Sequence, residues 1–283
     1  GDVEMGSTKF VMVDWTNQLN NGNKDVGIKY QGSTLRLKDV EFIGLDTALT
    51  VLYTSGSNQV LWQNLLFENC TVGLNTKGLK GRIDQCSFKN NKTGLTAHDI
   101  ELELVITEGE FRNNTEAIIA NQWEQSKGKL WLIECLFDRN WNAVNSLYGN
   151  LIMKCNRFNL SETDIVIEGG VLNISNTNAI KSDVLSRNEK PGYNVFVNSK
   201  KRCIGLYGSE LFMNGENYFH FNKVKYDGRP FIEGQIVVDE NAEYWNMKEG
   251  KFISGSNVWS PSQGLVASDL DEQYIRLKRQ NRS

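Results

Sequence analysis

A phenylalanine-centred phrase recurs six times, at Phe42, Phe67, Phe88, Phe111, Phe137 and Phe158, with spacings of 25, 21, 23, 26 and 21 residues. Self-similarity at such a period is the mark of a solenoid, in which each repeat buries its apolar face only against its neighbours. Six residues after each of the first five phenylalanines stands a small residue: Ala48, Gly73, Gly94, Ala117 and Ala143. The sixth repeat breaks this with Asp164. The next position is aliphatic every time, at Leu49, Leu74, Leu95, Ile118, Val144 and Ile165.

Apolar residues also precede each phenylalanine. Five positions before it come Leu37, Trp62, Ile83, Ile106, Leu132 and Met153. Two positions before it come Val40, Leu65, Cys86, Gly109 and Cys135, and the sixth repeat reads as shifted to Cys155 by one extra residue. Asparagines gather just after it, at Asn69, Asn90, Asn91, Asn113, Asn114 and Asn140. Period-two alternation, a polar corner and a second apolar run describe short strands wound into coils. Asn tolerates left-handed backbone and bonds neighbouring main chain, so it suits the corners and can form a ladder. Fixed strands with one loop of variable length explain the uneven spacing.

The phrases Cys86-Ser-Phe-Lys-Asn-Asn-Lys-Thr-Gly94-Leu95 and Gly109-Glu-Phe-Arg-Asn-Asn-Thr-Glu-Ala117-Ile118 resemble coils of the pectate-lyase-like superfamily. The resemblance covers roughly residues 35–168. It implies an all-β fold, a right-handed parallel β-helix of roughly eight to ten coils, irregular towards the C-terminus. Residues 1–180 read as regular coils with an opening coil at 8–34, turning through Asn20–Asn23. Residues 181–268 read as irregular coils or a cap packed on the helix, and 269–283 as a tail or short helix. The polar stretch from Lys181 to Tyr193 reads as an exposed loop.

A net charge of −3 offers no overall basic field for nucleic acid or an anionic membrane surface. No run of about 18 apolar residues is present to enter a bilayer as a helix. The chain starts at Gly1 rather than Met, which reads as a processed or trimmed product. Among five cysteines, Cys86 and Cys135 share an inward column but stand two coils apart, beyond disulfide reach. Cys135 and Cys155 would pair only if the extra residue of the sixth coil brought them into line, and no bridge is expected.

The resemblance spans lyases, hydrolases, epimerases, tailspikes and non-catalytic surface modules, so it leaves function to the site. Polygalacturonase-like hydrolases carry Asn-Thr-Asp, Asp-Asp, Gly-His-Gly and Arg-Ile-Lys signatures. Here only Glu162-Thr-Asp164 and Asn176-Thr-Asn178 come near, and enzyme activity stays undecided. The best substrate-binding group is Lys77, His98, Asp99, Asn121 and Trp123. Lys77, His98 and Asn121 each lie ten positions after a phenylalanine, and so stack on one outer face. His98 supplies an imidazole that can donate or accept a hydrogen bond, and Trp123 can stack on a sugar ring. The alternative is a solvated corner of ordinary polar residues.

A column of Glu68, Lys89, Arg112 and Asp138 reads as structural charge stacking. Triplets of the Asn-x-Ser/Thr form begin at Asn69, Asn91, Asn113, Asn159 and Asn173, and His220 reads as a plain strand residue. The alternation places Leu66, Val105, Trp131, Ile133, Leu136 and Ile152 outside, as an apolar stripe that later chain or a second copy must cover. The leading expectation is an extracellular or cell-surface module that binds polysaccharide without catalysis. The alternatives are a polysaccharide lyase with a dispersed site, for which calcium would be the cofactor, and a homo-oligomeric shaft. Otherwise no cofactor is expected.

Overall fold

The computed structural model describes residues 2–11, 26–31, 34–52, 60–124, 126–175, 194–197, 200, 202–214, 218–220, 232–236, 243–247, 250–254 and 258–260. Among them the chain is all β, wound into a parallel solenoid of about six turns. The expected turn through Asn20–Asn23, the loop at 181–193 and the C-terminal tail lie outside the described residues. So does more than half of 181–268, from which irregular coils or a cap were expected.

Each regular turn holds three strands. In the turn of Phe88 they are Gly81–Asp84, Ser87–Lys89 and Thr93–His98. The next turn repeats them as Glu103–Thr107, Glu110–Arg112 and Glu116–Asn121. Every strand pairs in parallel with its equivalent one turn away, and Phe88, Phe111 and Phe137 stand in register. Turns are numbered below by their phenylalanines, Phe42 marking the first and Phe158 the sixth.

The phenylalanine column is the spine of the core. Rings from Phe42 to Phe158, and then Phe196, stack nearly parallel with centroids 4.6 to 5.0 Å apart, all fully buried. That spacing is the distance between hydrogen-bonded strands, so the ring stack and the backbone ladder fix each other's register. The small-residue column is steric in origin. A Cβ on Gly94 would meet the Ala117 carbonyl oxygen at 2.6 Å, and one on Gly73 would meet that of Gly94 at the same distance.

Corners explain why the inward positions fall two and five before the phenylalanine. Asp39, Asn64, Gln85, Glu108, Glu134 and Cys155, all three positions before it, adopt positive φ and break the alternation there. Two positions after it, Asn69, Asn90 and Asn113 do the same. One residue further, Asn91, Asn114 and Asn140 turn inward as a buried ladder. Asn91 and Asn114 each donate from Nδ2 to Oδ1 of the Asn in the next turn, at 3.1 and 3.0 Å.

The expected shift in the sixth turn does not occur. Cys155 occupies the left-handed corner, as Glu134 does one turn earlier, and Asn156 fills the inward position two before Phe158, fully buried. Asn156 accepts from the Cys135 N–H at 2.9 Å and donates to Asn194 Oδ1 at 3.0 Å, starting a second asparagine ladder. A buried amide here satisfies backbone as the first ladder does, so no extra residue is needed. Asp164, which replaces the small residue of this turn, is also fully buried.

Cys70, Cys86 and Cys135 are buried free thiols, and Cys155 is half-buried and forms no disulfide among the described residues. Beyond residue 194 the strands Val195–Val197 and Arg202–Asn214 continue the parallel pairing onto the sixth turn.

Candidate functional site

Lys77, His98 and Asn121 end the third strands of turns two to four and are direct partners across the ladder. The chain then turns a corner, at Gly78 and Asp99 through positive φ, with the Gly78 N–H donating to the His98 carbonyl at 2.9 Å. Asp99 reaches back to the Lys77 ammonium at 3.4 Å, so that charge is partly neutralised. His98 and Asn121 are half-buried. Trp123 lies past the corner and is 70% exposed. The structure therefore brings Lys77, His98, Asp99 and Asn121 together, while Trp123 sits on the adjoining loop.

That loop is held by its own polar groups. Gln122 is buried and accepts from the Ser126 hydroxyl at 2.6 Å, and the Ser126 N–H donates to the Trp123 carbonyl at 2.8 Å. The loop thus presents Trp123 at one end and Lys127 at the other from an ordered frame.

On the far side of this corner lies a groove of about 820 Å³ over the first strands of turns one to five. Its floor and walls include Val60, Leu61, Leu102 and Val105, with Leu61 56% and Leu102 61% exposed. Around them stand five cations: Arg36, Lys80, Arg82, Lys127 and Lys129. Glu101 pairs with Lys80 at 3.3 Å, Glu103 with Lys129 at 3.5 Å and Asp84 with Arg82 at 2.5 Å. Arg36 and Lys127 have no carboxylate at ion-pair distance among the described residues. An apolar floor with surplus positive charge suits a ligand with apolar faces and anionic substituents.

Of the expected apolar stripe, Val105, Trp131, Ile133 and Ile152 lie on first strands, on the same surface further along, whereas Leu66 and Leu136 lie on second strands past the corner. Val105 faces Trp131 across the ladder, and Trp131 faces Ile152. Leu66, Val105, Trp131, Ile133, Leu136 and Ile152 are all half-buried. The Lys154 ammonium lies 5.1 Å from the Trp131 ring, so part of the cover is a cation from the next turn. Covering chain was expected from the segment after residue 180, much of which, including 181–193 and 221–231, lies outside the described residues.

On the second strands Glu68, Lys89, Arg112 and Asp138 are successive ladder partners, as expected. The ion pairs of Lys89 and Arg112 run through Glu110, which binds Lys89 at 2.8 Å and touches Arg112, while Asp138 pairs with Arg139 at 3.8 Å. Burial alone would raise the Glu110 pKa, but the Lys89 hydrogen bond and the Lys89 and Arg112 charges outweigh it and lower it. Glu116 behaves oppositely. Burial pushes its pKa up against a hydrogen bond from Asn142, 2.6 Å away. Of the Asn-x-Ser/Thr triplets, Asn91 is buried in the ladder, whereas Asn69 and Asn113 stand exposed at the corner.

Among the described residues no group of three or more His, Cys, Asp or Glu is placed to hold a metal ion. Nor does any helix among them have the length and apolarity to cross a membrane. Comparison with protein-family models, curated proteins and solved structures finds no match to the chain.

Proposed function

We propose that the chain is a module of an extracellular or cell-surface protein that binds polysaccharide along the groove without acting on it. The superfamily resemblance in the Cys86–Leu95 and Gly109–Ile118 phrases belongs to the same proposal. The observation that carries it is the groove itself, a long open channel with exposed Leu61 and Leu102 on an ordered sheet face and cations along its length. Such a surface binds an extended polymer through many modest contacts. Its rigidity means that little conformational entropy is lost on the protein side. The carboxylates at its edge, Glu101 and Glu103, each lie at ion-pair distance from a lysine.

Calorimetric titration of the chain against neutral and acidic polysaccharides tests the reading. Binding is expected, with Leu102→Asp and Lys129→Glu each weakening it about tenfold or more. Lys92→Ala, exposed at a different corner, should leave it unchanged. Ultraviolet absorbance should show no unsaturated product. Affinity that survives both groove variants, or no binding to any polysaccharide, would overturn the proposal.

A further inference from the structure

Over turns one to four the chemistry of the groove alternates from turn to turn, while in the fifth the same column holds Trp131 and the cations are Lys127 and Lys129. Along one outward column Arg36, Leu61, Arg82 and Val105 are successive ladder partners, in turns one, two, three and four. The remaining cations follow the same rule. Lys80 enters the third turn beside Arg82, and Lys127 and Lys129 enter the fifth. The even turns supply the apolar side chains, Leu61 in the second and Leu102 and Val105 in the fourth. The fourth also supplies Glu101 and Glu103, which reach to the lysines of the turns on either side.

Successive turns are about 4.8 Å apart, so cationic levels recur about every 9.6 Å. The third-turn level carries the carboxylate of Asp84 beside its two cations, and between the cationic levels lies one that is apolar in the second turn and apolar with two carboxylates and no cation in the fourth. An anionic group laid there would lose hydration without gaining a partner, and in the fourth turn it would meet like charge. We infer that the groove takes an acidic polysaccharide with a disaccharide repeat, in which one charged sugar alternates with an uncharged one, lying parallel to the solenoid axis. An extended sugar residue is close in length to one turn, so each disaccharide spans one cationic and one apolar level. The inference rests on the polysaccharide reading above and specifies its ligand.

Three polymers of matched length decide it: hyaluronan, with one carboxylate per disaccharide; polygalacturonate, with one per sugar; and dextran, with none. Titrated into the chain at low salt, hyaluronan should bind about tenfold more tightly than either of the others. Arg82→Gln should remove about tenfold of hyaluronan affinity, and the loss should shrink as salt is raised. Leu61→Lys places a cation on an even level at an exposed position, and should shift preference towards polygalacturonate while circular dichroism stays unchanged. Equal or tighter binding of polygalacturonate or dextran would overturn the alternation and leave the polysaccharide reading standing. So would a Leu61→Lys variant with unaltered preference. Failure of all three polymers to bind would overturn both.

Discussion

Asn113 and Asn114 are adjacent and identical in the sequence, yet their replacement should differ several-fold in cost. Asn114 is buried and uses both ends of its amide. Its Oδ1 accepts from the Asn91 backbone N–H at 3.0 Å and the Asn91 Nδ2 at 3.1 Å. Its Nδ2 donates to the Phe88 carbonyl at 2.9 Å and to Asn140 Oδ1 at 3.0 Å. Asn114→Ala strands the Asn91 N–H and leaves the Phe88 carbonyl one donor short in a dry corner. At about 1–3 kcal/mol per buried unsatisfied group, the loss should be about 3–5 kcal/mol. Asn113 is exposed, with φ of 53° and one side-chain bond to Asn90 at 3.2 Å. Asn113→Ala should therefore cost about 1 kcal/mol, for a left-handed Cβ, and Asn113→Gly nearly nothing. Urea unfolding followed by tryptophan fluorescence gives both values, with a constant slope confirming that the turns melt together. Equal losses at the two positions would refute the ladder as a source of stability.

Phe111→Ala should cost about 3–5 kcal/mol, because its ring is stacked on both faces at 4.7 and 4.9 Å and the cavity cannot collapse; urea midpoints measure it. The raised Glu116 pKa means that the folded state disfavours the carboxylate. The contribution is thus complete below the unfolded value, about pH 4, and is lost as pH rises through the folded one. Glu116→Gln should consequently be more stable than the parent at pH 7 and equal to it near pH 3. Glu110, whose pKa is lowered, has the opposite sign, so Glu110→Gln should lose stability at pH 7 and match the parent in acid. Burial pushes the Cys86 and Cys135 thiols up to about 12, so maleimide at pH 7 should label neither until urea unfolds the chain. Mass spectrometry of the labelled peptides would show the error if either reacted in the folded state.

The fold was legible because the solenoid repeats its chemistry in one dimension. Phe42 to Phe158, the small column through Gly94 and the asparagine pairs each mark a fixed place in the turn, and each occupies that place in the structure. The sixth turn was misread because a recurrent cysteine was taken as the inward marker. Asn156 fills the site, and a buried asparagine in a ladder cannot be told from a corner asparagine by residue type alone. The alignment of Lys77, His98 and Asn121 also followed from spacing. The groove did not, although four of its eleven lining residues lay in a column already noticed. Attention to the apolar members, Val105, Trp131 and Ile152, hid that the same column begins with Arg36 and Arg82. Two of the other lining residues, Leu102 and Lys127, come from corner segments of unequal length whose placement no periodicity gives.

Lysine footprinting with bound hyaluronan tests most directly whether the ligand lies in the groove. The free and saturated chains would be acetylated briefly and the modified peptides quantified. Saturation should protect Lys80, Lys127 and Lys129, which line the groove, while Lys92 and Lys77, on other faces, keep the labelling of the free chain. Protection of Lys77 with unchanged labelling of Lys127 and Lys129 would place the ligand on the His98 face and contradict the account.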